Sequence, residues 1–371
     1  FLIMKVLILS ILLVATAFAV PTTHLEFKSQ YNMVVNGQIP LTDSLAKEMY
    51  TDFLLSYGNE DLIKDGSQDR LVTFKLNLER IISHNNDETK SWKMGINKFQ
   101  DMTDEEFNAH YNMKNFGEEE CSATASPKMT KKAETPAEHD WRKIQMPHGI
   151  KVVTPVKDQG HCGSCWAFST IGGMESHYTI FSGKYAILSE QQLVDCAQEF
   201  GNEGCNGGLP EKAFNYISEN GLTFSSRYPY KGEDKTCTYN DFQKSITSKL
   251  PFVIERGNED QLVDQIYNVG PVSVAYQVAD DFRFYESGVY TSDTCGNGPG
   301  DVNHAVLAVG YGNEDNLDHY IIKNSWSDTW GDEGFFKIER GVNMCGIAVC
   351  NSHPTGVSDI WRSTKDILKS E

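Results

Sequence analysis

The stretch Gln159-Gly160-His161-Cys162-Gly163-Ser164-Cys165-Trp166 carries the most informative pattern of the chain, two cysteines among glycines followed by an aromatic residue. A Cys-x-x-Cys pair suits a redox dithiol or half of a zinc site. The first needs a thioredoxin-like βαβ context, which the surrounding pattern lacks, and the second needs another ligand pair at suitable spacing. The third interpretation is that Cys162 is disulfide-bonded and Cys165 is a free thiol. Because a helix is predicted to start at Cys165, the partial positive charge of its N-terminus favours the nucleophilic thiolate.

A thiolate nucleophile needs an imidazolium that stabilises it and protonates the leaving amine. Of the ten histidines, His304 stands out because it opens a predicted apolar strand. The turn-forming segment Gly310–Asn316 follows, and Asn324 closes the next predicted strand. Positions 304 and 324 are equidistant from Glu314, so a regular hairpin centred there places them side by side. Asn324 is then the third member of a triad, orienting the imidazole.

From Thr135 the composition becomes aromatic- and glycine-rich with dense cysteines, and its first half predicts helices. The first helix is predicted over Cys165 to Phe181, the second is capped by Ser189, and the third runs from Pro210 to Gly221. The second half predicts strands at Pro271–Val278, His304–Val309, Tyr320–Lys323 and Gly334–Ile338. A helical half followed by a β half indicates two subdomains with a cleft between them.

These residues resemble the papain-like cysteine peptidases, whose signature is Cys-Gly-[Ser/Ala]-Cys-[Trp/Tyr] with His and Asn far downstream. The resemblance covers nearly everything within residues 22–353. It implies that Cys165 attacks the scissile carbonyl, that His304 exchanges the proton and that Asn324 orients His304. It also implies that Gln159 completes the oxyanion hole with the Cys165 backbone N–H.

The resemblance extends to the fold and to the substrate-binding surface. It implies an α+β, papain-like two-subdomain fold with a helical half and a β-barrel-like half, preceded by a mainly helical inhibitory prodomain. Gly207 and Gly208 would let a substrate backbone approach the cleft wall. Trp326 resembles the indole that shields the His–Asn hydrogen bond, and Trp330 the indole that lines the leaving-group side.

The segment before the peptidase region is rich in charge and has helical periodicity. One helical stripe consists of Arg70, Phe74, Asn77, Ile81 and Asn85. The alternation Gly95-x-Asn97-x-Phe99-x-Asp101 predicts a short strand, and Thr103 with Glu106 predicts a capping box for a helix over Met102–His110.

Both patterns match the inhibitory prosegments of papain-like zymogens, with one departure, Gly66, where the helix motif has Glu. The resemblance implies that residues 20–134 form a propeptide that runs backwards through the cleft. Protonation of carboxylates that are paired at neutral pH is the expected acid trigger for its release.

Within the family the chain resembles the cathepsin H group. The segment Glu120–Thr124 is similar to the mini-chain of that group, a prosegment fragment (here about residues 118–124) retained by a disulfide. The terminal carboxylate, here that of Thr124, anchors the free amine of the substrate and makes the enzyme chiefly an aminopeptidase. Sequence alone leaves the cysteine connectivity open; family pairing implies Cys162–Cys205, Cys196–Cys237, Cys295–Cys345 and Cys121–Cys350.

Composition and charge exclude several classes of protein. The 371 residues include 33 Lys+Arg and 51 Asp+Glu, a net charge of −18 that argues against nucleic acid and membrane surfaces as partners. With 40% hydrophobic and 23% charged residues the chain can bury a core. Nine cysteines, an odd count, predict four disulfides and one free thiol in an oxidising compartment.

The N-terminus indicates that compartment. Met4-Lys5, an apolar run over Val6–Val14 and small residues to Ala19 are typical of a secretory signal peptide, expected over residues 1–19. The run is short for a membrane anchor. The resemblance implies an acidic, lysosome-like compartment or the extracellular space. Glu120 replaces the glycan-bearing Asn of the mini-chain and the sequence has no Asn-x-Ser/Thr sequon, which puts glycan-dependent sorting in doubt.

We therefore expect a peptidase domain over residues 135–354 and a loosely held tail over 355–371. The expected partners are peptide and protein substrates, the chain's own propeptide and cystatin-type inhibitors. We expect a monomer with no cofactor and no metal. The alternatives are a plain cathepsin L-like endopeptidase that lacks a retained mini-chain, and a non-catalytic binding homologue, against which the intact set of catalytic residue types argues.

Overall fold

The computed structural model describes residues 31–57, 68–111 and 134–360. These residues fall into two compact units, one up to Leu71 and one from Val72 on. In the first unit, helix α1 (Asp43–Ser56) is capped by Thr42, whose hydroxyl accepts the N–H of Leu45 at 3.2 Å. Most of its apolar side chains, among them Phe53, are buried, while Leu55 is exposed.

Helix α2 (Gln68–Asn85) begins at the end of the first unit and lies mostly in the second. Its stripe is the one predicted: Phe74 and Ile81 are buried, and Asn77 Nδ2 donates to the carbonyls of Gln100 (2.9 Å) and Met102 (3.0 Å). These bonds attach the helix to the loop that follows it.

Helix α3 (Asp104–Tyr111) starts with the predicted capping box. The Thr103 hydroxyl accepts the N–H of Glu106 at 3.2 Å, and the Glu106 carboxylate accepts the N–H of Thr103 at 2.9 Å. Two of the donors that a helix N-terminus leaves without a partner are thereby satisfied.

The strand predicted over Gly95–Asp101 is wrong. The strand in this region is β1 (Trp92–Met94), and the residues after it form a turn. The reason is Asn97, whose side-chain oxygen accepts the N–H of Phe99 at 3.0 Å and whose amide donates to the carbonyl of Arg283 at 2.7 Å. An Asn side chain bonded to the backbone two residues on replaces strand pairing with an Asx turn.

The first half of the part that begins at residue 135 is helical, as predicted. Helix α4 (Cys165–Ser182) is buried along most of its length. Ser189 caps α5 (Glu190–Cys196) by accepting the N–H of Gln192 at 3.0 Å. Helix α6 (Pro210–Asn220) has proline in its first turn and ends at Gly221.

The second half is built on one mixed sheet. Besides β1, the strands are β2 (His139–Asp140), β3 (Gln145–Met146), β4 (Ile150–Lys151), β5 (Ile246–Val253), β6 (Val272–Tyr276), β7 (Tyr285–Tyr290), β8 (His304–Glu314), β9 (Leu317–Lys323), β10 (Phe335–Glu339) and β11 (Ser352–Asp359). The strand order in the sheet is β1-β7-β10-β9-β8-β6-β11-β5, and β2 pairs with β8. Strands β3 and β4 form a separate pair, and helix α7 (Glu259–Asn268) precedes β6.

The predicted register of the β8–β9 hairpin is wrong. Strand β8 continues to Glu314, which pairs with Leu317, and the turn is the two-residue segment Asp315–Asn316 with φ of 50° and 66°. A register shift between Ala308 and Gly310 displaces the pairing further. His304 and Asn324 are therefore not cross-strand partners, and Asn324 directly follows the end of β9.

The tail predicted to be loose from residue 355 is ordered as far as the end of β11. This strand pairs antiparallel with β5, and Val357 is buried. Asp359 accepts the hydroxyl of Tyr178 at 2.6 Å and pairs with Lys184. The predicted domain boundary after residue 354 thus falls inside a strand, and residues 361–371 lie outside the described part of the chain.

A buried ionic cluster lies where the helical half meets the β half. Glu175 of α4 accepts the Lys157 ammonium (2.7 Å), the Thr154 hydroxyl (2.5 Å) and the Leu188 N–H (2.8 Å). Lys157 also contacts Glu190 at 2.5 Å.

Within the described ranges, no helix is both long enough and apolar enough to cross a bilayer.

Candidate active site

Cys165 is the first residue of α4, and it is buried. It is the free cysteine among the described residues. Burial raises the pKa of its thiol to about 12, although hydrogen bonds from the backbone N–H groups of Ala305, Trp166 and Cys165 itself favour the thiolate. In this form of the chain the thiol is protonated, because burial outweighs the helix N-terminus.

His304 is the first residue of β8, opposite Tyr276 of β6. Its Nε2 lies 2.9 Å from Oδ1 of Asn324. Because an amide oxygen only accepts, Nε2 carries the proton and Nδ1 keeps a free lone pair. The hydrogen bond from Ala305 N–H to the Cys165 sulfur places the thiol beside the start of the same strand.

The thiol and the imidazole are both neutral in this structure. Burial lowers the pKa of His304 to about 4, and the hydrogen bond to Asn324 offsets only part of that effect. With a thiol pKa near 12, proton transfer from Cys165 to His304 is disfavoured. Water reaching the site would favour the charged forms of both groups, so uncovering the site promotes the thiolate–imidazolium pair.

Gln159 is fixed beside the nucleophile. Its side-chain oxygen accepts the Ser325 hydroxyl at 2.7 Å, and its amide donates to the carbonyl of Cys162 at 3.0 Å. The same amide nitrogen lies 3.4 Å from the carbonyl oxygen of Tyr111, the last residue of α3. The Tyr111 carbonyl thus contacts the amide to which the family resemblance assigns an oxyanion role.

An aromatic wall covers the imidazole. The buried ring of Trp326 lies 4.8 Å from the His304 ring. Its outer side meets the edges of Phe99 (5.5 Å) and Phe107 (5.4 Å), both from the prosegment. Trp330 packs edge-on against Trp326 at 4.9 Å. Phe99 and Phe107 therefore cover the indole that packs on the His304 ring.

The glycine loop that the family resemblance assigns to substrate binding lies next to the segment that leads into Cys165. The Cys162–Cys205 disulfide and a hydrogen bond from Gly163 N–H to the Cys205 carbonyl (2.9 Å) join the two segments. Gly207 has φ of +125°, and a Cβ on Gly208 would lie 2.6 Å from the indole of Trp166. Only glycine fits this close approach.

The structure contains the disulfides Cys162–Cys205, Cys196–Cys237 and Cys295–Cys345. Cys350 is also disulfide-bonded and packs in an apolar cluster with Ala275, Val302 and Val349. Cys121, Thr124 and the rest of the predicted mini-chain lie outside the described residues.

In the described ranges, no group of three or more His, Cys, Asp or Glu side chains is arranged to hold a metal ion.

Two ion pairs between the prosegment and the cleft were missed by sequence reasoning. The Lys98 ammonium contacts the carboxylate of Asp158 at 2.6 Å, directly before Gln159. Asp104 pairs with the buried Arg283. No spacing rule links residues so far apart, so the sequence carried no signal for either pair.

Comparison with known proteins identifies the family. Residues 135–355 match the description papain family cysteine protease, and residues 50–107 match the cathepsin propeptide inhibitor domain. The chain belongs to the papain family of cysteine proteases. It is therefore a hydrolase of peptide substrates that is made as a zymogen with its own propeptide inhibitor domain.

Relatives of the papain family match along most of the chain. Pro-cathepsin H of Medicago truncatula is 47% identical over 308 residues, covering 82% of this chain and 85% of that protein. Thiol protease aleurain of Arabidopsis thaliana is 43% identical over 363 residues, covering 94% and 98%. The structure of digestive procathepsin L 3 of Tenebrio molitor larval midgut has a TM-score of 0.70 at 31% identity, covering 89% and 99%. The fold is thus the papain-like α+β fold.

Proposed function

We propose that this chain is a cathepsin H-like peptidase zymogen, which hydrolyses peptide bonds through Cys165, His304 and Asn324 and acts chiefly as an aminopeptidase. The observation that carries the proposal is the arrangement around Gln159. Its amide holds the Tyr111 carbonyl, and the prosegment contacts the indole over His304. The propeptide carbonyl thus contacts the same amide that we propose for the scissile carbonyl oxygen.

The mechanism follows from the hydrogen bonds. Once the site is uncovered, Cys165 gives its proton to Nδ1 of His304, and the thiolate attacks the scissile carbonyl carbon. The amide of Gln159 and the Cys165 backbone N–H stabilise the oxyanion. His304 then protonates the leaving amine, and water, deprotonated by the same imidazole, hydrolyses the thioester. Asn324 accepts Nε2–H throughout and keeps Nδ1 aimed at the reaction.

The aminopeptidase assignment rests on the mini-chain over residues 118–124. We propose that the Cys121–Cys350 disulfide retains it and that the carboxylate of Thr124 anchors the amine of the substrate. Cys350 lies in a cluster with Val302, two residues before His304, so a chain tethered there is close to the cleft. The relatives named pro-cathepsin H support the same assignment.

The remaining assignments complete the proposal. Residues 1–19 serve as a signal peptide and residues 20–134 as the propeptide, and the peptidase domain extends to the end of β11. Gly207–Gly208 binds the substrate backbone and Trp330 lines the leaving-group side. The enzyme is a monomer of an acidic compartment of the secretory pathway or of the extracellular space, and cystatin-type proteins inhibit it.

The test compares acid-matured enzyme on an amino-acid arylamide with a free amine and on a blocked dipeptide arylamide, with Cys165→Ala as the inactive control. We expect a strong preference for the free amine. A double variant, Cys121→Ser with Cys350→Ser, removes the tether without leaving an unpaired thiol and should shift the preference to the blocked substrate. Preference of the unmodified enzyme for the blocked substrate would instead favour a cathepsin L-like endopeptidase.

A further inference from the structure

The guanidinium of Arg283 is buried by the prosegment, with 1% of the side chain exposed. It pairs with the Asp104 carboxylate, and its Nη2 donates to Oδ1 of Asn77 (3.3 Å) and to the carbonyl of Met102 (3.1 Å). All three partners lie before residue 135, in the part of the chain that maturation removes. Maturation therefore strips Arg283 of these oxygen ligands together.

The backbone at Arg283 remains anchored after the prosegment leaves. Its carbonyl accepts the Trp330 indole N–H at 2.8 Å, in addition to the prosegment bond from Asn97. The neighbouring ring of Phe282 packs against Trp326 (6.0 Å) and Trp330 (5.5 Å). An arginine on such a fixed segment is preorganised for a ligand.

Arg283 also ends a segment that starts at the catalytic histidine. Tyr276 is the cross-strand partner of His304, and the N–H of Val278 donates to Oδ1 of Asn303 at 2.7 Å. Asn303 directly precedes His304 in the chain. The segment from residue 276 to Arg283 therefore runs from the imidazole to Trp326 and to Trp330, the indole that we propose for the leaving-group side.

We propose that in the mature enzyme Arg283 binds a carboxylate of the substrate on the leaving-group side of the scissile bond. This inference rests on the function proposed above. The Asp104 carboxylate stands in the zymogen for the group that the substrate supplies. A guanidinium binds carboxylates through parallel N–H donors, and the Phe284 ring 4.5 Å from it lowers its contact with water.

The acids of the mature domain do not replace Asp104. Asp281 accepts the hydroxyl of Tyr290 at 2.9 Å. Asp280 attracts Arg283 more weakly than Asp104 does. Arg80, which bonds Asp104 from the other side at 3.2 Å, leaves with the propeptide and takes its repulsion away. The ligand is thus an acidic side chain or the C-terminal carboxylate of a short peptide.

The experiment uses acid-matured enzyme and paired peptides that are cleaved at one bond. One set places Glu or Gln at successive positions after that bond, and a second set ends shortly after it in a carboxylate or an amide. We expect one carboxylate-bearing member to have a kcat/KM roughly tenfold above its neutral partner, with the ratio falling as salt is added. The set that shows the preference identifies the source of the carboxylate.

Variants assign the preference to Arg283. In Arg283→Gln the ratio should fall to about one, and Arg283→Lys should keep part of it. The control is Arg227→Gln, which removes the same charge from an exposed site where the guanidinium contacts Ser245, and the ratio should persist there.

Equal cleavage of all pairs by the unmodified enzyme overturns the proposal without any variant, as does a preference that survives Arg283→Gln. Cleavage of the neutral peptides in either case leaves the proposed peptidase function intact. If material shown to be matured cleaves none of the peptides, that result counts against the proposed function itself.

Discussion

Replacing Asp104 with Asn should loosen the propeptide and accelerate zymogen conversion. The Asp104 carboxylate pairs both with Arg283 of the peptidase domain and with Arg80 of α2. The two Nη atoms of Arg80 donate to its two oxygens at 3.2 and 3.3 Å. Asparagine preserves the size of the side chain and part of the hydrogen bonding but removes the negative charge. The buried Arg283 is then left without its counter-ion.

The magnitude follows from the burial of Arg283. Breaking a fully buried ion pair costs about 3–5 kcal/mol, and we expect about 2–3 kcal/mol here because Asp104 is partly exposed and the Met102 carbonyl remains. At about 1.4 kcal/mol per factor of ten, the fraction of zymogen with an open cleft should rise roughly 30- to 150-fold.

The effect has a defined pH dependence. Burial raises the pKa of Asp104, but its bonds to Arg80 and Arg283 outweigh burial and hold this pKa below the ordinary 3.8. A carboxyl with a lowered pKa stabilises docking above pH 3.8 and loses that contribution as the pH falls further. The ratio of conversion rates, Asp104→Asn over unmodified, should therefore be largest above pH 3.8 and approach one well below it.

The assay follows the conversion of dilute zymogen to the mature size on gels across a pH series. The matched control is Asp318→Asn, which removes an exposed carboxylate paired with Arg340 at 3.1 Å on the β8–β9 hairpin. No acceleration in Asp104→Asn, or an equal acceleration in Asp318→Asn, would refute the argument.

Three further substitutions test other parts of the structure. Burial lowers the pKa of His84, whose ring packs on Trp92 of β1, the prosegment strand that pairs with β7. The lowered pKa stabilises the docked prosegment above pH 6.5, and this contribution is lost when His84 is protonated. His84→Gln should therefore make conversion rates less dependent on pH below 6.5, and an unchanged profile contradicts this. Gln159→Ala should lower kcat roughly 10²- to 10³-fold in steady-state assays, and a change confined to KM would exclude an oxyanion role. Lys157→Met should lower the free energy of unfolding in urea by about 3–5 kcal/mol, because it leaves the carboxylates of Glu175 and Glu190 without their counter-ion. The loss should be smaller in acid, where Glu190 becomes neutral. A loss below about 1 kcal/mol would contradict a structural role for this ionic cluster.

The helices were predictable because their signals are local. The serine at position 189 and the proline and glycine that bound α6 act within one or two turns of chain. The Gly95–Asp101 alternation failed because a single Asn side chain overrode it. An alternating pattern of a few residues is too short to exclude a turn.

Long-range pairing explains the other errors. The sequence Asp315–Asn316 lacks the glycine that usually marks a two-residue hairpin turn, and the bulge near Gly310 has no sequence signal, so the hairpin was centred wrongly. Strand β11 has few apolar residues, and its partner β5 is remote in sequence.

The candidate site shows the same division between local and tertiary information. The residue types at positions 159, 165, 304 and 324 were recognisable, and the structure brings them together. The protonation of the thiol was not predictable, because burial is a tertiary property that outweighs the helix N-terminus. The partnership of Asp104 with Arg283 likewise depends on how the prosegment docks.

The most direct test of the account is the pH dependence of alkylation at Cys165 by a thiol-directed reagent, in zymogen and in acid-matured enzyme. Mass spectrometry identifies the labelled residue. We expect almost no labelling of the zymogen near neutral pH, because the thiol is buried and protonated. The matured enzyme should be labelled stoichiometrically, and this labelling should persist well below the ordinary cysteine pKa of about 8.5. Matured enzyme that reacts only above that pH, or at another residue, would contradict the account.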